Sequence, residues 1–444
     1  MIRDLTEGRP SRVLISFTLP LFASVIFQQL YSIADSVIAG RYAGEDALAA
    51  VGASYPITMI FMAVAFGCQI GCSVVISRFF GAGRLTEVKT CITTSLIAGL
   101  ALSAVMTVLG VLFSPQMMAL VKTPDDIMEQ GNLYLKIYTG GFVFLFIYNV
   151  ITGIFNSLGD SRTPLVFLII SSIGNIVLDA VFVIVFHWGV AGVAWATFIA
   201  QGVSCVLSAA VLFKRVREIH TEEKPPVFSR EALNDIVRVA VPSVLQQSFV
   251  SVGNMFIQAM VNGFGSSVIA GYSAAIKLNT FALTGFSTFG NGVSSFAAQN
   301  SGAGKPERIK EGVRAGLTLA LCTAVFFTIV YLLFGRSLLG LFMNEDSTEL
   351  ALETGYDFMK ITAPFYAVIC AKLLCDGVLR GCECMKHFMA ATFTDLIMRV
   401  VLAFIFSTAM GKAIGIWSAW PVSWATAAVM SCGFYLKGVW KKIV

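Results

Sequence analysis

Gly81-Ala82-Gly83-Arg84 recurs as Gly302-Ala303-Gly304-Lys305, and this repetition decides how the remainder of the 444-residue chain is read. Sliding the sequence by 221–224 residues brings other landmarks together in the same order. Leu19-Pro20 falls near Val241-Pro242, Leu135-Lys136-Ile137 on Met359-Lys360-Ile361, Gly153-Ile154-Phe155 on Gly377-Val378-Leu379, and Gly192 on Gly415. Matches that keep both residue type and order over such a distance indicate an internal duplication.

The sequence between these landmarks is apolar. Apolar residues make up 57% and charged residues 13%, with a mean hydropathy of +0.79, against roughly 45–50% and 25% in ordinary soluble domains. Apolar runs of about 20 residues are each long enough to cross a hydrocarbon layer as a helix. Alternating ten-residue strands of the membrane-barrel kind are not visible. The expected fold is all-α, with twelve transmembrane helices near Val13–Ile38, Ala47–Ile76, Cys91–Phe113, Asn132–Asn156, Pro164–Phe186, Val190–Phe213, Ile236–Asn262, Ser267–Ala298, Val313–Phe342, Leu352–Leu379, Phe388–Met410 and Ile414–Leu436. Met1–Ser11 is short and charged, and the apolar run after it is too long for a cleaved leader, so the first helix is expected to stay in the protein.

Each half holds six spans, an even number, which makes the halves parallel repeats about an axis along the membrane normal. The expected organisation is an N-lobe over 1–213, a cytoplasmic linker over 214–235 carrying Glu222, Glu223, Lys224, Pro225 and Pro226, and a C-lobe over 236–444. A central cleft between two lobes follows from that symmetry. Lys and Arg set the orientation. Alternating spans gather Arg3, Arg9, Arg12, Arg78, Arg84, Lys89, Arg162, the linker, Lys305, Arg308, Lys310, Arg314, Lys386, Lys437, Lys441 and Lys442 on one side. Only Arg41, Lys122, Arg336 and Lys412 fall on the other, beside Asp125, Asp126, Glu345 and Asp346. The basic side is cytoplasmic, which places both termini there in an inner membrane. The net charge of +5 is thus a topology signal, and nucleic acid is not an expected partner.

Acids inside spans are expensive and invite a functional reading. Asp35 lies in the first span, and Asn175 and Asp179 lie four residues apart on one face of the fifth, able to share a proton or a cation; Thr197 in the sixth adds a hydroxyl. These four form the expected cation-coupling set, with Na+ at Asp35/Asp179 as the one metal considered. Gln28, Tyr31, Asn149, Gln246 and Lys277 are candidate residues of the substrate cleft. Pro20 and Pro242, at matching places in spans one and seven, each remove a helical hydrogen bond and permit bending. In the second half Asp395 and Arg399 read as an intrahelical pair, and Asp376 lies close to Lys372 and Arg380. The chain has no Walker A pattern and no HExxH, and most of its ten cysteines sit in apolar helices. Energy is therefore expected from an ion gradient with no organic cofactor, and the protein is expected not to be an enzyme.

Leu30-Tyr31-Ser32-Ile33-Ala34-Asp35-Ser36-Val37-Ile38-Ala39-Gly40-Arg41, Ala47-Leu48-Ala49-Ala50-Val51-Gly52 with Tyr55-Pro56-Ile57, and Gly159-Asp160-Ser161-Arg162-Thr163-Pro164 with its counterpart Gly377-Val378-Leu379-Arg380-Gly381 resemble the multidrug and toxic compound extrusion (MATE) family. The resemblance covers nearly the whole chain. It implies two six-helix lobes in a V, export of organic cations or amphipathic compounds in exchange for protons or sodium ions, a monomer among membrane lipids, and a coupling site at Asp35, Asn175, Asp179 and Thr197. The chain looks closer to the DinF-like and related branches than to the NorM-like branch, since Gln246 and Gln247 stand in the seventh span where the latter has a glutamate. A lipid-linked oligosaccharide or lipid flippase of the same wider superfamily is the alternative.

Overall fold

The computed structural model describes residues 3–38, 42, 45–221, 223–343 and 348–442, and within these the side chains of 33–37, 45–48 and 442 stand outside the description. The expectations for Arg41, Glu222, Glu345 and Asp346 lie outside the described residues. The described chain is helical: α1 Pro10–Ile38, α2 Glu45–Gly81, α3 Leu85–Leu112, α4 Ser114–Leu120, α5 Asp125–Gly140, α6 Phe142–Ser157, α7 Arg162–Asp179, α8 Gly189–Glu218, α9 Arg230–Asn262, α10 Ser266–Gly302, α11 Pro306–Gly340, α12 Glu349–Thr362, α13 Tyr366–Gly381, α14 Met385–Met410 and α15 Ile414–Leu436.

All twelve expected spans appear as helices, two of them broken. The fourth is the α5–α6 pair, bent by 45° at Gly140-Gly141, where the glycines carry no side chain to hold a straight helix. The tenth is α12 and α13, joined by a 3-10 turn over Ala363–Phe365, because Pro364 has no N–H for the helical ladder. Among the described residues nine helices, or ten when the bent pair is one span, are long and apolar enough to cross a membrane. The other two, α10 and α15, are diluted by Ser, Thr, Asn and Gly or by Ser, Trp and Pro421. Side-chain burial is inverted relative to a soluble helix. On α7 the buried residues are Pro164, Ser172, Asn175 and Asp179, while Val166, Ile170, Ile173 and Val177 are exposed. Lipid can accept the apolar face, so the polar stripe turns inward.

The chain forms two compact units, one of Met1–Asp4 with Leu19–Ser248, the other of Leu5–Thr18 with Phe249–Val444. These units do not follow the boundaries 1–213 and 236–444 at α1 and α9: the start of each repeat's first helix groups with the other repeat. Small residues make the exchange sterically allowed. In the first unit a Cβ on Gly71 would lie 2.6 Å from the Ala240 Cβ; in the second, a Cβ on Gly292 would lie 2.6 Å from the Thr18 Oγ1. Gly71 and Gly292 are 221 residues apart, so one packing device is used twice. Polar contacts reinforce it. Arg78 pairs with Asp235 at 2.7 Å in the first unit; in the second the Leu5 N–H donates to Gln299 Oε1 and Arg308 Nη1 donates to the Gly8 carbonyl.

The duplication is also written in the turns. After α6 the N–H groups of Leu158, Gly159 and Asp160 donate to Ile154, Asn156 and Phe155; after α13 those of Cys382, Glu383 and Cys384 donate to Val378, Arg380 and Leu379, the same pattern 224 residues later. This is the helix stop in which one residue adopts a left-handed backbone. Gly159 does so at φ +73°, and a Cβ there would collide with the Arg3 carbonyl oxygen. Asp160 then accepts from the Thr163 N–H at 3.1 Å and its hydroxyl at 2.8 Å, capping α7. Burial pushes this carboxyl up, but hydrogen bonds, those from Thr163 among them, bring it below its usual value. In the second copy Glu383 occupies the glycine position at φ +57°. A left-handed non-glycine residue costs roughly 1–2 kcal/mol, of which glycine's greater freedom when unfolded returns part. Glu383→Gly is therefore expected to raise the melting temperature in detergent by roughly 1–2 °C, measured by scanning fluorimetry; a lower melting temperature would contradict the strain.

Candidate ion-coupling site

Asp179 is 0% exposed and Asn175, one turn earlier on α7, is 2% exposed. Among the described residues neither amide atom of Asn175 has a hydrogen-bond partner, an arrangement that costs about 1–3 kcal/mol for each buried polar group left unsatisfied. A carboxylate and an idle amide oxygen on one buried face can take up a proton or coordinate a small cation. Directly after Asp179 the backbone widens into a π-helix over Ala180–Val185, a local unwinding that is common at functional positions. Val183, one turn beyond Asp179, joins Ala50, Tyr134, Val190, Val193 and Ala194 in an apolar cluster. With Asp179 itself shut off from water, any charge interaction there is stronger than it would be in solvent. Thr197 is half-buried on α8, which packs against both α7 and the π segment. Asp35 has its backbone in α1, but its side chain lies outside the described residues.

The C-terminal unit buries more charge. Lys372, Asp376 and Arg380 follow one face of α13, and Asp395 and Arg399 one face of α14; all five are buried. The expected Asp395–Arg399 pair is present, with both carboxylate oxygens accepting from Arg399 Nη2 at 3.0 Å. Asp376 pairs with Lys372 at 2.8 Å and accepts from Ser431 Oγ at 2.6 Å. Arg380 Nη2 donates to Asn291 Oδ1 at 2.6 Å.

A family model, MatE, matches the chain twice, over residues 20–181 and 242–405. The chain belongs to the MatE family. The two matches begin at Pro20 and Pro242, the prolines that the internal repeat pairs. Among curated relatives, the chain is 26% identical over 440 residues to the probable multidrug resistance protein YpnP of Bacillus subtilis, covering 99% of this chain and 97% of that protein. It is also 26% identical over 343 residues to a protein of Shewanella oneidensis named FAD transporter, covering 75% of each. Its fold matches a solved structure described as the outward-facing conformation of a multidrug resistance MATE family transporter, with a TM-score of 0.91, 23% identity, and coverage of 99% of this chain and 98% of that one.

Within this MatE fold the candidate cleft residues occupy different environments. Gln28 is exposed and Tyr31 half-buried on α1; Asn149 is buried on α6, where its amide donates to the Leu145 carbonyl at 2.8 Å. Gln246 is half-buried on α9, and its amide oxygen has no hydrogen-bond partner among the described residues. Lys277 is exposed on α10, its ammonium 5.9 Å from the Phe342 ring centre. Pro20 and Pro242 lie inside α1 and α9, which continue through them. Sequence reasoning missed the π segment, for which the sequence carries no signal, and Ser172, which was legible as the residue one turn before Asn175 on the same face. It also missed Ser431, since only the packing of α15 against α13 brings it to Asp376.

Proposed function

We propose that this MatE protein is a secondary multidrug exporter that expels organic cations or amphipathic compounds in exchange for protons or sodium ions. The buried polar face of α7 carries the reading: a membrane-embedded carboxylate next to an amide with idle hydrogen-bonding capacity is what a reversible ion site requires. Asp35, Asn175, Asp179 and Thr197 form the coupling site in this reading, and the name of the Bacillus relative supports the substrate class. Protonation or ion binding there shifts the balance between outward- and inward-facing states, and α1 is the element that changes shape. Pro20 lies inside α1 and has no N–H to give to the helical ladder, and the division between the two compact units falls within α1 between Thr18 and Leu19, beside that proline. The Lys and Arg distribution supports cytoplasmic termini, and the bacterial relatives support a bacterial inner (plasma) membrane. The protein works as a monomer among lipids, and its chemistry is transport without catalysis.

The test is efflux of a fluorescent organic cation from proteoliposomes under an imposed pH gradient and, separately, an imposed sodium gradient. Export driven by one gradient and abolished by its collapse is the expected result and names the ion. Folded protein that moves the dye under neither gradient would overturn multidrug antiport and leave the flippase reading.

A further inference from the structure

In the C-terminal unit a buried ammonium stands between two buried carboxylates. We propose that Lys372 is a tethered counter-cation, filling in the second half of the chain the role that a mobile ion fills in the first, so that ion coupling is confined to the Asp179 side. The inference rests on the coupling role proposed for Asp179, and its first test uses no transport.

Lys372 is 3% exposed and Asp376 and Asp395 are each 4% exposed. The Lys372 Nζ lies 2.8 Å from Asp376 Oδ2 and 4.0 Å from Asp395 Oδ2. The remaining oxygens are already engaged: Asp376 Oδ1 accepts from Ser431, and both Asp395 oxygens accept from Arg399, whose guanidinium also lies 4.5 Å over the Trp420 ring. A mobile cation would find these carboxylate oxygens held by fixed donors. Charge reinforces this, since Lys372, Arg380 and Arg399 outnumber Asp376 and Asp395 in the cluster, and the surplus positive charge repels a further cation.

The internal repeat places the charged groups of the two halves at non-equivalent positions. The 224-residue offset that superposes the turns after α6 and α13 lays Asn175 on Arg399 and Asp179 on Ala403. The same offset lays Tyr148 on Lys372 and Thr152 on Asp376. Where the first half has an amide and an acid, the second has a fixed guanidinium and an alanine; where the second has an ion pair, the first is neutral. Lysine suits the role because its ammonium is a compact point charge like a monovalent metal ion, on a stem that stays attached to the helix.

Lys372→Ala removes the equivalent of n-propylammonium. Its melting temperature in detergent, read in choline, sodium and n-propylammonium chlorides at equal ionic strength, is expected to fall by roughly 5–10 °C in choline, because removing one partner leaves a buried charge uncompensated. Sodium or n-propylammonium is expected to restore at least half of the loss in Lys372→Ala beyond any shift it causes in the wild type, and to shift Lys372→Ala/Asp376→Asn by no more than it shifts the wild type. A Lys372→Ala protein as stable as the wild type, or one that neither cation restores, would overturn the proposal. So would a wild type stabilised by sodium in a manner lost in Asp376→Asn. If Lys372→Ala does not fold, Lys372→Met/Asp376→Asn removes both buried charges together and decides the matter by transport. Gradient-driven efflux within threefold of the wild type supports the tethered cation. Loss of coupling in that folded double variant, beside a coupled wild type, overturns it while the proposed function stands.

Discussion

Asp179→Asn is expected to abolish uphill export while leaving the protein folded. The substitution keeps the size and shape of a side chain that is fully buried on α7 but removes its ability to ionise. In one-for-one exchange with an organic cation no net charge moves, so a tenfold gradient of the coupled ion supplies about 1.4 kcal/mol, enough for roughly a tenfold concentration ratio. In proteoliposomes loaded with dye, that ratio is expected to collapse towards unity in Asp179→Asn. Stability moves the other way or not at all, because a carboxylate buried away from water costs more to desolvate than an amide of the same shape. Asn175→Ala, which removes an amide with no hydrogen-bond partner among the described residues, is expected to weaken ion affinity without destabilising the fold. A shift of the half-maximal proton or sodium concentration by about tenfold corresponds to one lost ligand worth roughly 1.4 kcal/mol. Wild-type accumulation in Asp179→Asn would remove that residue from the coupling site.

Gly377→Val is expected to cost about 3 kcal/mol or more and to abolish a monodisperse peak in size-exclusion chromatography. A Cβ at Gly377 would lie on the Gly290 carbonyl oxygen, and one at Gly290 would lie 2.6 Å from the Leu373 carbonyl oxygen. The obstacle is backbone on both sides of the α10–α13 contact, so no rotamer change relieves it, and overpacking of this kind sits at the upper end of its usual range. Parting the helices would also disturb the Arg380 contact to Asn291, which crosses the same interface. Gly433→Val on α15 is the control. Nothing lies within 4 Å of a Cβ there, and it is expected to run as the wild type. Equal behaviour of the two variants would show that the α10–α13 contact tolerates separation.

Much of this was legible in the linear chain. Apolar runs of membrane length, separated by basic turns, admit only helices, because a backbone in hydrocarbon must satisfy its own hydrogen bonds. The 221–224-residue repeat foretold the paired turns at Gly83 and Gly304 and the two matches to one family model. That Asn175 and Asp179 share one buried face of α7 could be read in advance, because a four-residue spacing puts two side chains on one helix face and because polar groups in a span have to turn inward. The Asp395–Arg399 pair was legible for the same reason.

What lay beyond the sequence depends on contacts between residues far apart in the chain. The exchange of the first helical turns between repeats rests on whether a glycine on one helix meets an alanine or a threonine on another, as Gly71 meets Ala240 and Gly292 meets Thr18. The approach of Lys372 to Asp395, and of Ser431 to Asp376, needs α13, α14 and α15 brought side by side. Local spacing determined which residues share a face in this protein. Only the packing of those faces decided that the Asp376 and Asp395 carboxylates stand together beside Lys372 and Arg399, because a charge buried away from water is set by the groups within a few ångströms of it rather than by its neighbours in sequence.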